Sequence, residues 1–257
     1  MMSSAFSPAP LNEKPQVAAR SLTIVVPIHD EVEGIPRLVE ELGRVARDEA
    51  ARRPVEVVVV DDGSGDGGFE LLRASAPADW RLVQHDRNLG LTAALRSGTE
   101  AARHELVGWL DADLTYEPAL LSALAARVDA GAEVAVASCH HPAGRVEGVG
   151  AFRCWLSRSA SRLYRRASGH PLHTFTCMVR VQPRALALST WPERPGYLGV
   201  TEQLLRAIGR GARIDELPAV LRARCSGRSK MRVARVARAH LSLIAAVRRG
   251  AFAAEPR

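Results

Sequence analysis

Three short apolar runs in this chain each end in carboxylates. Residues 22–28 (LTIVVPI) lead into His29-Asp30-Glu31, residues 55–60 (VEVVVV) into Asp61-Asp62-Gly63-Ser64, and residues 106–110 into Asp111-Ala112-Asp113. Any one of these turns has an ordinary explanation, because Asp and Gly are turn formers and Asp66 can cap a helix. Three at equivalent places carry more weight. Ligands of an open α/β sheet bind outside the carboxyl ends of its strands, so the runs are expected to bring their acids to one edge. Like charges at one edge repel unless a cation or ligand offsets them. A hard divalent cation, bridging one or two carboxylates to a substrate phosphate, is such an offset.

Those runs need elements to hold them. Residues 35–50 show helical spacing, with Leu38, Leu42 and Val45 on one face. Helices are expected around 69–74, 91–103 and 118–130, and further short strands at 80–84 and 134–137. Near-continuous apolar strands alternating with helices specify an α/β domain with a mostly parallel central sheet flanked by helices. Asn88-Leu89-Gly90 opens a helix whose small residues recur every four positions: Gly90, Ala94, Gly98 and Ala102. That face permits close approach to the sheet, and Asn88 is expected to cap the helix. Beyond Gly144 the rhythm changes to a basic helix (152–167), a strand (175–181), a helix (198–208), an extended stretch (213–221) and a last helix (231–249). No internal repeat and no linker is visible. Residues 1–20, rich in Pro, Ser and Ala, read as a disordered leader.

The 257 residues are 47% hydrophobic and 25% charged, the composition of a globular domain with its own core. Disorder throughout, a collagen repeat, a coiled coil and a disulfide mini-scaffold are excluded. No apolar run approaches the roughly 18 residues of a spanning helix, and the N-terminus lacks a signal-peptide pattern. Cys139, Cys154, Cys177 and Cys225 form no C-x-x-C pair, so reduced thiols in a cytoplasmic protein are expected rather than zinc. From Arg222 onward ten basic residues face one acid, Glu255, a net +9; the chain carries +7 in all, which leaves −2 for residues 1–221. A basic tail suits an anionic partner or a solubility role. A Rossmann site needs G-x-G-x-x-G after the first strand; His29-Asp30-Glu31 stands there instead, and no P-loop is present.

VPIHDEVEGI, VVVVDDGSGDGG, NLGLTAALRSGTEAA and WLDADLTYEP, in this order, resemble glycosyltransferase family 2, whose fold is GT-A. ELPAVLRARCSGRSKM resembles the end of the polyprenyl-phosphate (dolichol-phosphate) mannose or glucose synthase branch. The resemblance covers about Ser21 to Met231. It implies one catalytic domain over 21–230, with a nucleotide-sugar half (21–138) and an acceptor half (139–230), followed by a basic tail (231–257). It implies that Pro27, His29 and Glu31 surround the base and ribose, with the His29 imidazole stacking where the family has tyrosine. Val60 and Asp62 would contact the nucleoside. Asp111 and Asp113 would be the D-x-D pair holding Mg²⁺ or Mn²⁺ on the diphosphate, with Ala112 contributing backbone. Arg224 and Lys230 would meet phosphate oxygens. Lys230 is one of only two lysines among 35 basic residues, which itself suggests a compact point charge. Arg153 and Ser157 would hold the acceptor phosphate. The departures fall mostly on the acceptor side: Thr115 replaces glutamine, Cys139 an arginine, Thr176-Cys177-Met178-Val179 an S-G-F-R-like segment, and Leu198-Gly199-Val200-Thr201 precedes the surviving Glu202.

The implied activity is inverting, metal-dependent transfer of a hexose from a GDP- or UDP-linked sugar. Asp113, Arg224 and Lys230 would act on the leaving diphosphate. A lipid-phosphate acceptor is already an anion, so Arg153 need only orient it. A hydroxyl on a soluble acceptor needs a base, and Glu202 or Asp30 is the candidate. A non-catalytic nucleotide-sugar-binding protein is the rival reading. Nucleic acid is not an expected partner, because no aromatic residue interleaves the arginines between Arg222 and Arg249. In the last helix Val233, Val236, Ala237, Leu241, Ile244 and Val247 share a stripe opposite Arg232, Arg235, Arg238 and Arg249. Such a helix can lie at the inner face of a membrane or pack back on the domain.

Overall fold

The computed structural model describes residues 19–223 and 233–252. The expected leader lies outside the described residues except for Ala19 and Arg20, and so do Arg224, Lys230 and Arg232. The strands are β1 (Leu22–Ile28), β2 (Val55–Asp61), β3 (Arg81–Gln84), β4 (Leu106–Trp109), β5 (Val134–Ser138), β6 (Arg145–Glu147), β7 (Arg180–Pro183), β8 (Ile214–Pro218) and β9 (Val220–Arg222). The helices are α1 (Ile35–Ala50), α2 (Gly68–Ser75), α3 (Leu91–Ala101), α4 (Leu120–Asp129), α5 (Ala151–Ser168), α6 (Arg184–Ser189), α7 (Gly196–Gly209) and α8 (Val233–Arg248). A 3-10 turn, Val32–Gly34, joins β1 to α1.

Seven strands form one sheet in the order β3-β2-β1-β4-β7-β5-β8. β7 pairs antiparallel with β4 and β5, and the other pairs are parallel. The expected α/β class and mostly parallel sheet therefore hold. Parallel strands buried on both faces must be apolar throughout, which is why VEVVVV and LTIVV read as runs rather than alternations. The chain winds outward from β1 through β2 to β3, then crosses to the other side of β1 to start β4. The switch point lies between β1 and β4, where a ligand crevice opens in such sheets. There β1 outruns its neighbour: β4 pairing stops at Val25, while Pro27 and Ile28 pair only with β2. A proline is tolerated at this position because the β4 ladder has ended.

The expected strand at 175–181 is a correction. Residues 175–179 form an irregular segment, buried except at Thr176, and the strand begins only at Arg180. The Arg180 guanidinium, fully buried, donates to the Cys177 carbonyl at 2.6 Å and the Gln203 side chain at 2.7 Å. A backbone carbonyl taken by a side chain is lost to a ladder. The short α6 and β6 were not foreseen; each is too brief to show a period.

The last helix follows the second of its two readings and packs back on the domain. Leu243, Ile244 and Ala246 are buried, Tyr164 of α5 shares its hydroxyl with His240 Nδ1 at 2.8 Å, and Val247 packs on the main core. Leu241, assigned to the apolar stripe, is 59% exposed. The apolar face of α8 thus covers the domain, centred nearer Leu243 than the stripe implied, and leaves Arg238, Arg248 and Arg249 outside.

The small-residue face of α3 does what its spacing suggested. A Cβ on Gly98 would lie 2.3 Å from Val25 Cγ1 and 3.1 Å from Val60 Cγ2. Gly98→Ala is therefore expected to destabilise the fold by about 1–3 kcal/mol through overpacking. In urea unfolding the midpoint should fall with an unchanged slope; an unaltered midpoint would contradict this packing.

Candidate active site

Two cavities meet at the carboxyl ends of β1 and β4. The first, about 220 Å³, is lined by Pro27, His29, Glu31, Asp62, Asn88 and Gly90, and by Asp111, Ala112 and Asp113. The second, about 360 Å³, is lined by Arg153, Ser157, Thr115, Cys139, Thr176 and Cys177, among others. Asp111, Asp113 and Tyr197 line both. The D-x-D pair therefore stands where the two spaces join.

Local structure explains how the pair is presented. β4 ends at Trp109, and Leu110 donates its N–H to Val25 O, which carries Asp111 just past the sheet edge. Leu114 follows with φ of 51°, a costly left-handed conformation for a leucine. The turn is pinned on both sides: Thr115 N–H donates to Asp113 Oδ1 at 3.1 Å, and Tyr197 Oη donates to Asp111 Oδ1 at 2.8 Å. Tyr197 is a site residue that sequence reasoning did not assign. Its signal was the Gly196-Tyr197 pair that precedes the altered Leu198-Gly199-Val200-Thr201 segment.

The strand-end acids do not act alike. Asp62 is 3% exposed and accepts from Leu89 N–H at 2.9 Å and Gly90 N–H at 2.8 Å, and from His85 Nδ1 at 2.7 Å. It holds the 85–90 loop, so the loop residues Asn88 and Gly90 reach the cavity. Asn88 is not the cap of α3: that helix has no side-chain cap, and Asn88 Nδ2 lies 2.7 Å from His29 Nε2. Asp61 holds Ser64 and Gln84. Asp66 accepts from Gly68 and Val32 N–H groups at 2.9 Å each, tying α2 to the turn after β1. Asp30, with φ of 52°, accepts from Gly65 N–H and lines neither cavity. Val60 is a correction too. It is fully buried against α3 and does not line the first cavity; it supports Pro27, its register partner.

Glu202 does not reach the site. Its carboxylate, fully buried, accepts from Arg194 N–H at 2.9 Å and from Arg206 Nε and Nη2 at 3.0 and 2.8 Å. Burial alone would raise its pKa, but the Arg194 N–H, the Arg206 guanidinium and the Glu193 N–H outweigh it and hold the group below its usual range. A carboxylate so stabilised is a poor base. It anchors the 190–196 segment that delivers Tyr197.

The second cavity is polar but mostly uncharged. Ser157 Oγ lies 3.1 Å from both Thr176 Oγ1 and His140 Nε2. His140 is pushed down to about 4 by burial, then by Arg158 and Arg162, so it is neutral at pH 7. Burial raises the Cys139 thiol, and raises Cys177 to about 12, so the wall where an arginine was expected is a neutral thiol. Arg222 is engaged by Glu117 and Glu147. Arg153 is exposed and makes no ion pair among the described residues. No group of three or more His, Cys, Asp or Glu among the described residues could hold a metal, so an ion at Asp111 and Asp113 would draw its remaining ligands from substrate and water. Such oxygen-rich, protein-poor ligation fits Mg²⁺ or Mn²⁺.

Glu202→Gln is expected to cost about 2 kcal/mol of stability, the scale of charge-assisted hydrogen bonds. Because the folded pKa is depressed, this contribution is present above the unfolded pKa and lost as pH falls through the folded value. The wild-type and variant stability curves should therefore converge in acid. A variant with native stability would contradict an anchoring role.

Residues 23–187 match the family described as glycosyl transferase family 2. Among curated relatives, the undecaprenyl-phosphate 4-deoxy-4-formamido-L-arabinose transferase of Pseudomonas paraeruginosa is 33% identical over 184 residues, 70% of this chain and 52% of the relative. That of Pseudomonas aeruginosa is 34% identical over 188 residues, with the same coverage. The chain thus spans about half the length of these relatives. Among solved structures, glucosyl-3-phosphoglycerate synthase of Mycobacterium tuberculosis, in complex with Mn²⁺, UDP-glucose and phosphoglyceric acid, superposes with a TM-score of 0.68 at 20% identity, over 91% of this chain and 81% of that one. The same enzyme with Mg²⁺ and UDP gives 0.67 at 19% identity, over 91% and 80%. At such identity the likeness shows the fold, which is GT-A. With the family match over 23–187, the relatives a third identical across 70% of its length and a D-x-D turn at the switch point, the chain belongs to glycosyl transferase family 2.

Proposed function

We propose that the protein transfers a sugar from a nucleotide sugar to a polyprenyl phosphate, with inversion at the sugar carbon. The observation that carries this reading is the position of Asp111 and Asp113 on the shared wall of the two cavities. The first cavity would take the nucleoside, with His29, Pro27 and Glu31 around base and ribose. The second would take the acceptor phosphate, oriented by Arg153 and Ser157. The relatives named undecaprenyl-phosphate transferases support that acceptor class, and the neighbours crystallised with Mn²⁺ or Mg²⁺ and UDP support the donor class.

A divalent ion on Asp111 and Asp113 would supply stabilisation of charge on the leaving diphosphate. Tyr197 would keep Asp111 oriented through its hydroxyl. Arg224 and Lys230, outside the described residues, would approach the same oxygens. Arg153 would bring the acceptor anion in line with the sugar carbon, so positioning replaces proton transfer. A hydroxyl acceptor needs a base. Neither expected base serves, because Glu202 is tied to Arg194 and Arg206 and Asp30 to the Gly65 turn. This favours the phosphate acceptor.

A polyprenyl acceptor is met at a membrane. Among the described residues no helix is long and apolar enough to cross one. With the apolar face of α8 packed on the domain, that helix would contribute Arg238, Arg248 and Arg249 to anionic head groups. Apolar contact would come from α5, where Phe152 and Trp155, each 62% exposed and stacked at 6.1 Å, flank Arg153.

Nucleotide sugars screened with and without Mn²⁺, read as released UDP or GDP, test the donor assignment. Asp113→Asn should keep the melting temperature and lower turnover on the order of 100-fold, the scale of losing a major electrostatic contact in the transition state. Wild-type turnover in that variant would sink the D-x-D assignment, and a protein that binds donors but never turns them over would be a binding protein. Phe152→Ser with Trp155→Ser should raise KM for the polyprenyl phosphate roughly tenfold, as loss of two aromatic contacts implies, with the donor KM unchanged. An unaltered acceptor KM would remove α5 from acceptor binding.

A further inference from the structure

A third cavity, about 510 Å³, opens behind Cys139 between α5 and the turn from β5 to β6. Cys139 is the one lining residue it shares with the acceptor cavity. Arg158, Arg162 and Arg165 project into it from successive turns of α5, and Arg145 from the start of β6. His140, His141 and His173 complete the polar wall, and none of its lining residues is Asp or Glu.

These charges are not neutralised by the fold. Among the described residues Arg145, Arg158 and Arg162 make no ion pair, and Arg165 donates to the carbonyls of Leu172 and Pro171 at 2.9 and 2.7 Å rather than to a carboxylate. Glu216 stands behind the wall with both oxygens engaged. Oε1 accepts from the His173 and Thr174 N–H groups, and Oε2 lies 2.8 Å from His173 Nδ1. It orients His173, which packs edge-on against His141 at 5.1 Å. His140, lowered first by its burial, is lowered further by Arg158 and Arg162.

Like charges in one concavity repel, and an anion relieves the repulsion. Guanidinium forks match phosphate oxygens bidentately. Donors converging from α5 and β6 suit a tetrahedral group, which offers oxygens in several directions, better than a planar carboxylate. We propose that this cavity is a second anion site, separate from the sugar-transfer cavities, which takes a phosphoryl group held by Arg145, Arg158 and Arg162. The proposal stands whether or not the acceptor is a polyprenyl phosphate. The phosphoryl group is either a free phosphate or the head group of an anionic phospholipid.

The test uses the full chain, and the phosphate titrations are run without divalent metal. Inorganic phosphate is titrated by calorimetry, and the side-chain resonances of His140, His141 and His173 are followed in the wild-type protein. Saturable binding that moves these resonances is expected. Arg158→Gln with Arg162→Gln should weaken it about tenfold or more, as loss of charge-assisted contacts implies, with UDP–Mn²⁺ affinity unchanged. Arg153→Gln should leave it intact. Co-sedimentation with phosphatidylcholine vesicles, with and without phosphatidic acid, separates the sources. Retention only with phosphatidic acid, lost in the double variant, assigns a lipid head group; phosphate binding without retention assigns a free phosphate. The proposal is overturned if neither ligand binds, if the histidine resonances stay still, or if Arg153→Gln rather than the double variant abolishes binding. Loss of polyprenyl-phosphate turnover in Arg153→Gln with phosphate binding preserved would separate this site from the acceptor cavity.

Discussion

The site is organised around one buried carboxylate. Asp62 leaves the end of β2 and accepts two backbone N–H groups and an imidazole from a segment 23 to 28 residues further along. A buried charge is tolerated only when its hydrogen bonds are complete, and here the partners come from one loop. Closing those bonds fixes the entry to α3, brings Asn88 against His29, and sets one wall of the first cavity. The close approach of α3 to the sheet at Gly98 then follows from the same placement. Without Asp62, Leu89 and Gly90 N–H groups would be left unpaired at the lip of the cavity.

From that fixed wall the remaining geometry is a matter of strand length. β1 runs past β4, which leaves a notch at the switch point, and the D-x-D turn emerges beside it. Because the turn is held by Thr115 on one side and Tyr197 on the other, the carboxylates are presented by a rigid edge rather than a loose loop. Tyr197 itself is delivered by α7, whose position depends on the Glu202–Arg206–Arg194 contacts. A carboxylate remote from the chemistry thus governs the orientation of one that faces it.

The second cavity is built on another logic. Cys139, Cys177 and His140 are neutral at pH 7, and Ser157 and Thr176 supply hydroxyls. Positive charge is concentrated at Arg153 and, beyond the Cys139–His140 wall, in the cavity between α5 and β6. The basic character read over residues 152–167 thus divides between helix faces. Ser161 and Tyr164 of α5 are buried, while Phe152, Trp155, Arg158, Arg162 and Arg166 are exposed.

Much of this molecule was legible in its residues alone. Period and run length located β1, α1 and the mostly parallel sheet, since local periodicity is set by neighbours in the chain. The spacing of D-x-D and the order of the motifs pointed to the family and to seven residues that line the first cavity: Pro27, His29, Glu31, Asp62, Asp111, Ala112 and Asp113. Only the tertiary structure decided which acids line a cavity, which hold loops, and that Asp62 does both. Asp30, Asp61, Asp62 and Glu202 look in sequence like Asp111 and Asp113. Their partners come largely from segments distant in sequence, such as Gly65 for Asp30, Gln84 for Asp61 and Leu89 for Asp62, and no local pattern encodes such arrivals. The same holds for α8, whose apolar stripe was plain to read. A stripe specifies that a helix face must be covered; whether lipid or α5 covers it depends on what the fold places opposite.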